Sequence, residues 1–281
     1  MPYLIDSHVH FWDREQFRYP WLEDAAEPLS LSHGPSDLAR TGWTGDSIVA
    51  VQADCLRQHG LGEARWFSQL AADGAPIEAI VAFAPVDVPA QLAPHLAALA
   101  ELPFVAGVRR LLQDANPGLA TSGAFLEGVR SLAAYHYTMD LCVRHFQLPE
   151  VTALVEMCPE VQFVLDHLGK PLVRRGDFDA WAGDLRRLAA LPNVVVKLSG
   201  LLTEAAPDMR ATSTLRPWLR HALEVFGPTR CMFGSDWPVL NLAGDDAQWV
   251  DVVADAVADL SAEEAESVWN GTAERTYFSA R

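Results

Sequence analysis

Three apolar runs in this chain end in residues able to do acid–base or metal chemistry. The first closes with Asp6-Ser7-His8-Val9-His10, a second, Val164-Leu165, leads into Asp166-His167-Leu168-Gly169-Lys170-Pro171, and a third, Met232-Phe233, leads into Gly234-Ser235-Asp236-Trp237-Pro238. Side chains on a strand alternate between faces, so Asp6, His8 and His10 are expected on one face, pointing into a core. A carboxylate and two imidazoles are costly there unless they bind something or one another. Three imidazoles (His8, His10, His167) and one carboxylate (Asp236) are a donor set for a divalent cation, zinc best, with a position left open for water. Without a metal, the same groups could polarise a carbonyl while the carboxylate takes a proton from an attacking water.

These residues can meet only if the fold brings their strands together. Eight short apolar, β-branched runs lie near residues 3–10, 46–54, 77–85, 104–111, 138–145, 161–167, 193–199 and 230–236. Between them, helical periodicity marks residues 62–73, 89–101, 123–135, 178–190 and 245–260, and Ser261 to Glu264 has capping-box spacing for a last helix running towards Tyr277. Alternation of strand and helix implies a parallel sheet, and runs such as Val194-Val195-Val196 imply one covered on both faces. No Gly-x-Gly-x-x-Gly turn follows the first strand, which argues against an open dinucleotide-binding sheet. The expected architecture is one α/β domain over residues 1–281, a single (β/α)8 TIM barrel, with its site on the rim where the strands end.

A net charge of −16, with no cluster of Lys or Arg, disfavours nucleic acid and anionic membranes as partners. No apolar run nears the roughly 20 residues that cross a bilayer, and the start lacks a basic, then apolar, leader. The four cysteines are scattered and read as buried free thiols. A cytoplasmic protein acting on a small neutral or weakly charged molecule is expected, with self-association into a homo-oligomer left open.

Taken together, Asp-x-His-x-His on the first strand, Asp-His-x-Gly-Lys-Pro after the sixth and Gly-Ser-Asp-Trp-Pro after the eighth resemble the amidohydrolase-related lactonase family. The likeness runs from Asp6 to Tyr277 and includes Tyr19-Pro20-Trp21-Leu22, Gly107-Val108-Arg109 and Lys197-Leu198-Ser199-Gly200. Members open fuconolactone, rhamnonolactone and pyrone dicarboxylate lactones, and the Tyr-Pro-Trp segment is more similar to the sugar lactonases. The resemblance implies a hydrolase that opens an aldono-1,4- or 1,5-lactone to the free acid. It implies Asp236 as general base and His8, His10 and His167 as carbonyl-polarising groups, acting directly or through one divalent metal, since some members work without one. Arginine at 109 and 110, where a bridging lysine or carboxylate would be needed, speaks against a two-metal centre.

Arg109 offers a rigid fork for an oxyanion or carboxylate. Lys197, after three valines, is expected on the wet rim as a substrate contact. On the fifth strand, Gln147 matches the position where a mononuclear amidohydrolase often has a metal-binding His, leaving His145 one pleat away, and both are candidate substrate contacts. Trp12 and Trp237 could lay flat faces against a sugar ring, or be core. Two rival readings stay open: a metal-dependent non-oxidative decarboxylase of an aromatic or unsaturated acid, and a non-catalytic sugar-acid-binding barrel.

Overall fold

A computed structural model describes residues 3–43 and 45–278. The eight apolar runs form β1 (Ile5–Val9), β2 (Ser47–Val51), β3 (Ile77–Phe83), β4 (Val105–Arg109), β5 (Thr138–Leu141), β6 (Phe163–Leu165), β7 (Val194–Leu198) and β8 (Cys231–Phe233). They pair in parallel and in chain order. The ring closes just past β8, where Val9 bridges Trp237, His10 N–H donates to Trp237 O at 2.8 Å and Asp236 N–H donates to His8 O at 2.9 Å. The fold is a (β/α)8 barrel.

Alternation sorts each strand into two cores. Ile48 and Ala50 join the outer core under the helices. Val49 and Val51 face the barrel interior with Ile5, Ala79, Val81, Val164, Val195 and Met232, and Tyr277 from the C-terminal segment joins them. The outer layer consists of α1 (Pro35–Arg40), α2 (Gly60–Ala72), α3 (Pro89–Ala100), α4 (Gly123–Ser131), α5 (Leu148–Met157), α6 (Phe178–Ala189), α7 (Leu201–Glu204), α8 (Thr212–Phe226), α9 (Asp246–Val257) and α10 (Ala262–Glu266). At α10 the Ser261 hydroxyl accepts from Glu264 N–H and the Glu264 carboxylate accepts from Ser261 N–H. The chain then continues as π-type turns over Ser267–Gly271 and Glu274–Phe278. No described helix is long and apolar enough to cross a membrane, and all four cysteines are buried free thiols.

Packing of α4 on the segment after β3 depends on Gly128, where a Cβ would sit 2.1 Å from the carbonyl oxygen of Val86. Alanine is the better helix former, yet here it must push the helix off the barrel. Gly128→Ala is therefore expected to destabilise the fold by about 1–3 kcal/mol in denaturant unfolding. A variant as stable as the parent would show that α4 can shift freely.

Candidate active site

The strand ends converge as expected for His8, His10, His167 and Asp236, all of which are buried. His8 Nε2 lies 3.1 Å from His10 Nε2, and Asp236 Oδ1 lies 3.7, 3.5 and 3.8 Å from the Nε2 atoms of His8, His10 and His167. Local structure fixes each ring. His10 Nδ1 faces Val51 O at 2.8 Å; a carbonyl can only accept, so neutral His10 presents the lone pair of Nε2 to the site. His167 Nδ1 shares a 2.8 Å hydrogen bond with Ser199 Oγ. Its ring is seated against Gly200, where any Cβ would come within 2.8 Å of Nδ1, and Gly200 has φ +72°.

The backbone around these groups is strained. His167, Leu168, Gly169 and Lys170 have φ of +53°, +54°, +72° and +48°, a left-handed turn held by Lys170 N–H donating to His167 O and Trp181 Nε1 to Leu168 O, both at 2.8 Å. Left-handed geometry costs roughly 1–2 kcal/mol per non-glycine residue. Asp236, at φ +66°, is held by its own N–H on His8 O. Such strain persists where function requires a side chain to be aimed in one direction.

Beneath the histidines lies a charged layer whose arrangement sequence reasoning did not foresee. Lys197 Nζ donates to Asp140 Oδ2 at 2.6 Å and to His8 Nδ1 at 3.1 Å, and lies 3.2 Å from Asp166 Oδ1. Tyr277 Oη donates to Asp140 Oδ2 at 2.7 Å, and Arg109 donates to Asp166 Oδ2 at 3.0 Å and to Gln52 O at 2.5 Å. Burial works against ionisation of Asp166, but Lys197, His8 and Arg109 hold its carboxyl well below the usual range. Burial raises Asp140, against the pull of Lys197.

Several expectations are corrected. Asp6 does not share the face of His8: the pairing of β1 with β2 shifts register between Asp6 and Val9. The Asp6 carboxylate instead accepts from Ser235 N–H at 2.8 Å and from His8 N–H at 3.2 Å, bracing the loop that carries Asp236. Burial pushes its pKa up to about 7. Lys197 is not on the rim; it has the parity of Val195 and is fully buried in the barrel. Gln147 is occupied by Leu112 O and Arg144 N–H, tying two loops together. His145 sits in the same short turn and does not line the cavity. Trp12 and Trp237 are core: Trp12 donates to Leu31 O, and Trp237 packs on Phe11 and His33. The tryptophan that reaches the cavity is Trp21, its Nε1 anchored on Ala53 O at 2.8 Å.

That cavity opens over the cluster, has a volume of about 200 Å³, and takes its floor from His10, Arg109, His167 and Asp236. It is smaller than the roughly 300 Å³ at which drug-sized pockets begin, and so suits a small molecule. Although Arg109 is pinned at both ends of its fork, its Nε–H is buried without a partner.

The cluster fits one divalent cation. His8, His10 and Asp236 bring one donor atom each within 4.8 Å of one another, and His8, Asp166 and His167 do the same. His8 Nε2 also lies 3.3 Å from Arg109 Nη1, and His8 Nδ1 lies 3.2 Å from Asp166 Oδ1. The rings can coordinate only through nitrogens that carry no proton, so affinity rises with pH.

The match to known proteins covers the whole barrel. The sequence pattern of the amidohydrolase family matches residues 5–278. This chain belongs to the amidohydrolase family. An L-fucono-1,5-lactonase of Burkholderia multivorans is 38% identical across 97% of this chain and 95% of its own length. A second L-fucono-1,5-lactonase, from Burkholderia ambifaria, is 32% identical over 87% of this chain and 83% of its own. An amidohydrolase from Burkholderia multivorans, solved with bound zinc, superposes with a TM-score of 0.87 at 36% identity, over 98% of this chain and 99% of that one.

Burial lowers the pKa of His167 to about 4, so that Asp236 faces a neutral ring at pH 7. Burial opposes ionisation of Asp236 too, yet the surrounding imidazoles, His167 foremost, hold it below the usual carboxylate range. Two consequences follow for pH. After chelator treatment, the acid limb of kcat/KM is expected near pH 4; a limb centred near 6.5 would mean that His167 titrates as an ordinary imidazole. Between these values the unfolded chain binds the His167 proton and the folded one does not, so this group's contribution to stability is present above pH 6.5 and is lost as pH falls towards 4.

Proposed function

We propose that this amidohydrolase opens the ring of a small sugar-acid lactone, an aldono-1,4- or 1,5-lactone, to the free acid. The observation that carries the reading is the placement of one ionised carboxylate, Asp236, against three imidazoles and a buried arginine at the floor of a small cavity. Full-length likeness to two L-fucono-1,5-lactonases supports it.

In this reading Asp236 takes a proton from water as the water oxygen bonds to the lactone carbonyl carbon. Negative charge developing on the carbonyl oxygen is met by the imidazoles and by the positive charge of the Arg109 guanidinium, which lines the same cavity. Collapse of the tetrahedral adduct breaks the ring C–O bond, and the proton on Asp236 passes to the departing ring oxygen. At neutral pH the new carboxylic acid loses its proton to solvent. One zinc held by His8, His10, His167 and Asp236 would supply Lewis-acid polarisation of the carbonyl.

An indicator assay for acid release over a panel of aldono-1,4- and 1,5-lactones, run with and without chelator, tests substrate class and metal dependence together. Saturable acid release is expected. Release of carbon dioxide from an aromatic or unsaturated acid, with no lactone turnover, would replace this reading with decarboxylation.

A further inference from the structure

Four of the described non-glycine residues with positive φ line the cavity: His167 and Asp236, already placed at its floor, and Asp54 and Lys170, to which the mechanism gives no part. Asp54 follows β2 at φ +58°, its N–H donating to Gln52 Oε1 at 2.5 Å. Lys170 is three residues beyond His167 on the left-handed turn, so the strain that aims the imidazole also carries the lysine to the same cavity. Its ammonium makes one hydrogen bond, to Gln113 Oε1 at 2.5 Å, and none of the ion pairs among the described residues includes it. No hydrogen bond or ion pair to another described side chain engages the Asp54 carboxylate.

A cavity wall with an unpaired ammonium and an unpaired carboxylate is poorly matched to an ion of either sign, because one of the two would always repel it. A hydroxyl group both accepts and donates, and so satisfies the pair together. In the same cavity, Trp21, 41% exposed and with its indole anchored on Ala53 O, offers an apolar face for ring C–H groups.

We propose that Asp54 and Lys170 are specificity-determining groups that hydrogen-bond the ring hydroxyls of the substrate, so that this site selects polyhydroxylated lactones over bare ones. The inference rests on the lactonase reading and sharpens it. Lys170 donates to one hydroxyl while Asp54 accepts from another, and Gln113 keeps the lysine extended across the wall.

The test compares kcat/KM for an aldono-1,5-lactone with that for δ-valerolactone, which has the same ring and no hydroxyls. Lys170→Met and Asp54→Asn are each measured against the parent; asparagine is chosen because it tolerates the left-handed backbone at position 54. Removing the donor at position 170, or the charge on the acceptor at position 54, is expected to lower the hydroxylated-to-bare ratio about tenfold or more in each variant, chiefly through KM for the aldonolactone. A residue that only supports the fold would lower both substrates together, so a ratio that falls less than fivefold in both variants overturns the proposal. Should Lys170→Met not fold, Asp54→Asn decides by the same criterion. In the parent enzyme, inhibition by a 1,5-anhydroalditol, which keeps the ring hydroxyls and lacks the carbonyl, is an independent check: the proposal expects competitive inhibition, and its absence counts against hydroxyl recognition. A parent that opens neither lactone instead refutes the lactonase reading itself.

Discussion

Asp236→Asn is expected to lower kcat by about 10³-fold while leaving the fold intact. The substitution preserves shape, and asparagine accepts the left-handed backbone that position 236 requires. What it removes is the one carboxylate oxygen that three imidazole nitrogens approach within 3.5–3.8 Å. An amide cannot take a proton from water at neutral pH, so the loss should appear in kcat far more than in KM. Bound metal, measured by elemental analysis, is the necessary companion readout. If the variant keeps its metal and loses turnover, the carboxylate acts as a base; loss of both together would make its role that of a ligand.

Lys197→Met is expected to be the most destabilising single change in the barrel interior, at about 3–5 kcal/mol in denaturant unfolding. Methionine fills similar space, but the buried carboxylates of Asp140 and Asp166 lose the cation that lies 2.6 and 3.2 Å away. Breaking one partner of a buried pair is worse than removing both. Asp140→Asn added to Lys197→Met should therefore recover part of the loss, because Asp166 still has Arg109 at 3.0 Å. A single variant within about 1 kcal/mol of the parent would show that water or a bound ion compensates the carboxylates. Activity should fall as well, since His8 loses the donor that fixes its Nδ1.

The barrel and the floor of its site were readable in the sequence because polar residues interrupt apolar runs at strand ends. His8, His10, His167 and Asp236 each mark the point where a strand reaches the rim. Asp6 was misplaced because period-two alternation assumes an unbroken register, and β1 shifts its pairing at that point. Lys197 was misread for a different reason. Its parity with Val195 points inwards, but the carboxylates that make burial tolerable come from β5 and from the end of β6, and such partnerships are not local in the chain. Loops obey neither period. Nothing in the spacing of Trp12, Trp21 and Trp237 tells which indole the loops will turn towards the cavity, and the left-handed turn that delivers Lys170 has no signature beyond Gly169. Among the helices, α1, α5, α7 and α8 went unmarked; α5 carries Pro149 in its opening turn and α8 has Pro217 inside it.

Proton NMR of one aldono-1,5-lactone, followed in parallel with the parent enzyme, Asp236→Asn and no enzyme, tests the central claim most directly, because it separates the open-chain acid from an isomerised 1,4-lactone. The account predicts that the open-chain acid accumulates well above the spontaneous rate with the parent alone. Equal rates in all three samples, or an isomeric lactone as the enzymic product, would contradict it.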